Sequence, residues 1–141
     1  MKRFIALSLV LTLLLCSTVA FAIADDDEQP RQSDYFASYG TTLSAIGGGK
    51  ISVTFSCTAV GYATTLGVAT YVVQRKNSSG NWEDASGLLS GKTGSNVHTY
   101  SFSKTIYGNV GTTYRVRCIF VCAKDGGVEH KSYTSGSKKA T

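Results

Sequence analysis

The sequence predicts an all-β protein, an antiparallel β-sandwich of about seven strands, on three observations. Apolar and polar residues alternate with period two in several segments from Lys50 onward. Clusters of Gly, Asn, Asp and Ser recur between those segments. No segment offers ten residues of helical periodicity.

The amino-terminal residues differ in composition from that domain. Lys2 and Arg3 precede an apolar run over residues 4–15, and small residues come next, up to Ala22 and Ala24. This order predicts a secretory signal peptide over residues 1–24, cut after Ala22 or Ala24. The apolar run is shorter than the ~20 residues that span a bilayer, which argues against a retained anchor. Leu15 stands where a lipoprotein needs a small residue before the acylated cysteine, which argues against lipidation at Cys16. Residues 25–40 open with Asp25, Asp26, Asp27 and Glu28, show no period, and read as a flexible acidic leader. Residues 41–141 are then one domain, long enough to enclose a single core.

Within that domain Gly47, Gly48 and Gly49 mark a turn. Ile51, Val53, Phe55 and Cys57 then alternate with Ser52, Thr54, Ser56 and Thr58, a half-buried strand. Residues 68–75 are rich in β-branched and aromatic side chains and end at the turn cluster 76–81. Trp82 starts a short returning strand, and Gly87, Gly91 and Gly94 break the stretch after it. Residues 97–106 alternate again, with Tyr100 and Phe102 on one face. In 113–122, Tyr114, Val116, Cys118, Phe120 and Cys122 share a face, with Arg115 and Arg117 on the other. Asp125, Gly126 and Gly127 predict a tight hairpin into a last strand over 128–134.

Three cysteines lie beyond the signal peptide. Cys118 and Cys122 are on one straight strand, ~13 Å apart at ~3.3 Å per residue, beyond the ~7 Å that a disulfide tolerates. An internal bridge therefore uses Cys57, with Cys118 the first candidate partner and Cys122 the fallback. Both parities point to the core, and such a bridge closes a loop worth roughly 4 kcal/mol in the chain-entropy picture. A buried free thiol remains an alternative fate.

The whole chain has a net charge of +5, but residues 31–141 alone carry twelve basic and five acidic residues, a net +7. Arg115, Arg117, Lys124 and Lys131, near the last hairpin, form the candidate basic surface. An anionic surface, a cell-wall polymer or an extracellular protein are the expected partners. Nucleic acid is not expected, because the basic residues are dispersed and no recognition motif accompanies them.

Site chemistry is absent from the pattern. No G-x-S-x-G elbow is present, His98 and His130 stand without a motif, and Glu83 and Asp84 are neighbours on opposite strand faces. Three cysteines without C-x-x-C spacing give no zinc pattern. The glycine run at 47–49 leads into Lys50 and Ile51, not into the sequel of a phosphate loop. No catalytic residue, metal or cofactor is expected, and an enzyme is not.

Residues 111–118 (GTTYRVRC) and 123–127 (AKDGG) resemble the penultimate strand and final hairpin of fibronectin type III and related immunoglobulin-like domains. Tyr114 stands where those domains carry a corner tyrosine. More broadly, residues 51–57, 71–82 and 114–134 resemble an uncharacterised family of small secreted proteins of Gram-positive bacteria. The resemblance spans about residues 45–135 and implies an immunoglobulin-like sandwich; it carries no ligand with it. The function expected is a non-catalytic secreted or cell-envelope binding module. The alternative is a small secreted toxin or antimicrobial protein, motivated by size, export and basic charge.

Overall fold

The computed structural model describes residues 33–141; the expected signal peptide and the leader up to residue 32 lie outside the described residues. Two antiparallel sheets face each other. In the first, β1 (Phe36–Gly47) and β7 (Val97–Tyr107) flank β2 (Lys50–Ala63). The second is centred on β3 (Thr65–Lys76) and β8 (Thr113–Lys124). Beyond β8 lie β9 (Gly127–Thr134) and β10 (Lys138–Lys139). Beyond β3 lie β4 (Trp82–Asp84), β5 (Leu89–Ser90) and β6 (Thr93–Gly94), successive pieces of one broken edge. Counting that edge once gives the seven expected strand lines, with β10 as a two-residue addition.

The alternation read from the sequence is the alternation of burial. Ile51, Val53, Phe55 and Cys57 face Val116, Cys118, Phe120 and Cys122, each 3% exposed or less. Leu66, Val68, Tyr71 and Val73 of β3 complete the floor. Phe55 joins the layers, its ring 4.8 Å from Phe102 beside it and 5.1 Å from Tyr71 in the opposite sheet. Tyr39 and Phe120 make the matching contact from β1 to β8, at 5.4 Å. Burying one such aromatic side chain is worth about 1.5–3 kcal/mol.

The first strand begins inside the stretch expected to be a flexible leader, residues 25–40. Residues 36–40, placed in it by composition, form the start of β1, and no strand was expected before Lys50. Two local features hide the period. A register shift lies between Phe36 and Ser38, and a polar residue, Thr41, takes an inward position at 4% exposure. There the Thr41 hydroxyl meets the Cys118 sulfur at 3.4 Å. The buried side-chain nitrogens and oxygens among the described residues all find partners, as close-packed interiors require.

Turns form at the residues that enforce them. Asp125 and Gly126, at φ 52° and 78°, close the two-residue hairpin between β8 and β9. The broken edge depends on close backbone approach: a Cβ at Gly91 would strike the Val68 carbonyl, and one at Gly67 the Lys92 carbonyl. Tyr114, 4% exposed, accepts a hydrogen bond on its hydroxyl from Asn109 N–H at 2.9 Å.

Candidate binding surface

The outward face of the larger sheet gathers most of the distinctive side chains. Register alone lines up Arg115 of β8, Gln74 of β3 and Asp84 of β4 across three strands. Arg115 Nε donates to Gln74 Oε1 at 2.8 Å, and Gln74 Nε2 donates to Asp84 Oδ1 at 2.8 Å. Gln74 is 5% exposed and so serves as a fixed relay under the guanidinium. The Arg115 guanidinium lies 4.3 Å from the centre of the Trp82 ring, and Lys76 Nζ lies 5.9 Å from it. Trp82 is thus an aromatic platform flanked by two cations.

Beside this stack runs a groove of about 430 Å³ on the same face. Arg117 is set among Val72, Ile119 and Leu88 on its apolar side and Ser132 and Thr134 on its polar side. Leu88 is 73% exposed and Ile119 37%. Of the nearby carboxylates, Asp84, which accepts from Gln74, lines the groove with Arg117, whereas Glu83 pairs with Arg75 at 2.7 Å. Through that hydrogen bond and its charge, Glu83 also pushes the Arg75 pKa up.

The four basic residues expected to share a surface do not. Arg115 and Arg117 have outward parity on β8, whereas Lys124 has inward parity. Lys124 Nζ turns to the Val60 carbonyl at 2.7 Å and lies 5.6 Å from the Tyr35 ring. Lys131 is level with Phe120 on the inward side of β9 and pairs with Glu129 at 2.9 Å. Burial works to raise the Glu129 pKa, but hydrogen bonds from Ser33 and Lys131 outweigh it and hold the carboxyl below its usual range. The sequence missed Trp82, Lys76 and Gln74 as companions of Arg115, because long-range strand pairing brings them together.

The cysteines form no bridge. Cys57, Cys118 and Cys122 are all buried free thiols, so neither the expected Cys57–Cys118 bond nor its Cys122 alternative is present in the structure. The reason is local. Cys118 turns to Thr41 on β1, Cys57 to the Tyr100 carbonyl on β7 at 3.6 Å, and Cys122 to the Tyr35 carbonyl at 3.6 Å. Burial, aided by Cys122, pushes the Cys57 thiol up to about 12. Burial likewise raises Cys118 and Cys122. Thiols held protonated in this way are poor nucleophiles. Among the described residues no three His, Cys, Asp or Glu side chains converge as a metal site.

No protein-family model and no curated protein matches the chain. Among solved structures, a crystal structure of a protein from Archaeoglobus fulgidus is similar at TM-score 0.40 and 11% identity, covering 75% of this chain and 98% of that one. A likeness that distant carries no argument about function.

Proposed function

We propose that the chain is an exported, non-catalytic binding module that recognises an anionic polymer of the cell envelope through the outward face of its larger sheet. The observation that carries this reading is the Lys76–Trp82–Arg115 stack beside Arg117, where Glu83 is already paired with Arg75 and Asp84 accepts from Gln74. A phosphate- or carboxylate-bearing polymer gains charge-assisted hydrogen bonds there. Its apolar or ring portions find Trp82, Val72 and Ile119 on the same face. The export signal and the resemblance to small secreted proteins of Gram-positive bacteria support the location.

The test is retention of the purified chain on Gram-positive cell-wall polymer before and after removal of its phosphate groups. The reading expects binding at low salt that declines as salt screens the contacts, and much weaker binding to the dephosphorylated polymer. Equal retention on both, or none on either, sinks it.

A further inference from the structure

The outward face of the smaller sheet has a different composition from the rest of the molecule. Register places four rows across β1, β2 and β7: Ser38, Thr58 and Thr99; Gly40, Ser56 and Ser101; Thr42, Thr54 and Ser103; Ser44, Ser52 and Thr105. Eleven of these twelve positions carry a hydroxyl and the twelfth is glycine. None is ionisable, although residues 33–141 carry eleven basic and five acidic side chains. Lys104, the lysine of β7, lies level with Val53 and so has inward parity. The four rows are therefore uncharged; the ionisable side chains nearest them stand beyond the rows, Lys50 level with Tyr107 at one end and His98 against Tyr62 at the other.

Both ends of the array carry an aromatic ring. Tyr107, level with Lys50 at one end, is 80% exposed, and Tyr62, beyond the other end, is 79% exposed. With strands ~4.8 Å apart and same-face residues ~6.6 Å apart, the hydroxyl rows cover about 10 by 20 Å.

We infer that this face is a second binding surface, for an uncharged linear polysaccharide lying along the strands between Tyr62 and Tyr107. Charge complementarity selects the occupant. Along the four uncharged rows a charged polymer would leave its charges unpaired, whereas a neutral glycan leaves none. Hydroxyls both donate and accept and rotate to suit, so they match the hydroxyls of a sugar chain without prior alignment. Thr54 and Ser103 already exchange such a bond at 2.8 Å. Short side chains lose little rotamer entropy on binding, and the terminal tyrosines offer ring faces to sugar rings.

The experiment is depletion of the full chain from solution by chitin and by microcrystalline cellulose. It is run at low salt and at roughly 1 M salt, where the screening length falls to ~3 Å. Retention on at least one polymer should persist at high salt. Thr54→Lys with Ser56→Lys should lower it at least tenfold, and Tyr62→Ala with Tyr107→Ala about threefold. Both pairs alter exposed or half-buried outward positions, and a thermal melt checks that each remains folded. Arg115→Ala with Arg117→Ala should leave it unchanged, which separates this surface from the charged one. Absence of retention on both polymers overturns the inference. So does retention that salt abolishes, or retention that the paired lysines do not reduce.

Discussion

The two outward faces of this sandwich are built on the same core and differ in almost every other respect. The larger sheet presents Arg115, Arg117 and Lys76 around Trp82, with a groove beside them. The smaller sheet presents rows of serine and threonine without a charge. The buried inward residues of β2 and β8 are alike in kind, with a valine, a phenylalanine and at least one cysteine in each. The outward residues of the same two strands are not. Selection for solubility alone is satisfied by mixing charge and hydroxyl on both faces. Under the two binding proposals, their separation onto opposite faces predicts different affinities, one sensitive to salt and one not.

The largest expected effect removes the comparison altogether. Phe55 touches Phe102 in its own sheet and Tyr71 in the other, at 1% exposure. Phe55→Ala should cost about 3–5 kcal/mol, a large part of the roughly 5–15 kcal/mol typical of a domain. Urea unfolding monitored by tryptophan fluorescence measures it. A loss under ~1 kcal/mol means that the two layers are not held together there.

Next in size is the double change Arg115→Ala with Arg117→Ala. Retention on phosphate-bearing wall polymer at low salt should fall at least tenfold, with a modest drop in the urea midpoint from Arg115→Ala, which leaves the buried Gln74 Oε1 without its donor. Thr54→Lys with Ser56→Lys should not weaken that same retention. A drop of equal size from both pairs of changes would merge the faces into one site.

The shared interior has its own signature in alkaline solution. Folding raises the Cys57 pKa from 9.0 to about 12. The unfolded chain therefore releases this proton first, and the associated stability is intact below pH 9.0 and is lost as pH rises towards about 12. Cys118, Cys122 and Tyr71, raised by burial, act in the same direction. Urea midpoints should decline from about pH 8.5 to about pH 10.5, an interval that begins at the ordinary thiol pKa. Cys57→Ala should make the decline shallower. A midpoint that rises over that interval contradicts the burial of these thiols.

Legibility in the sequence tracked the range of the interactions. β2 and β8 were readable because each keeps strict alternation for seven or more residues, with its turn residues in place. The hairpin at Asp125 was readable because two successive positive φ angles demand Asp and Gly. β1 was not, because Thr41 and a register shift interrupt its pattern and only the partner strand supplies the missing order. The charged surface was half readable. Parity on β8 separates Arg115 and Arg117 from Lys124 without any structure, but residues near a hairpin in sequence were grouped as if they shared a face. Trp82 joins Arg115 only through Lys76, Gln74 and the β3–β8 register, a relation between segments about thirty residues apart. The bridge expected at Cys57 rested on shared inward parity, which places a sulfur in the core without aiming it at another.

The two inward lysines give the smallest and most discriminating expectation. Lys131 is bound to Glu129, and Lys124 to a backbone carbonyl and a tyrosine ring, all on the inward side of the sheet. A partly exposed ion pair of this kind is worth about 1 kcal/mol at most, so Lys131→Ala should shift the urea midpoint only slightly. Neither Lys131→Ala nor Lys124→Ala should change retention on the wall polymer by more than about twofold, although each removes one positive charge, as Arg115→Ala does. If net charge alone governed binding, the three single changes would weaken it equally. If the outward face governs it, Arg115→Ala stands apart, and the salt dependence of retention drops in that variant while it persists in both lysine variants.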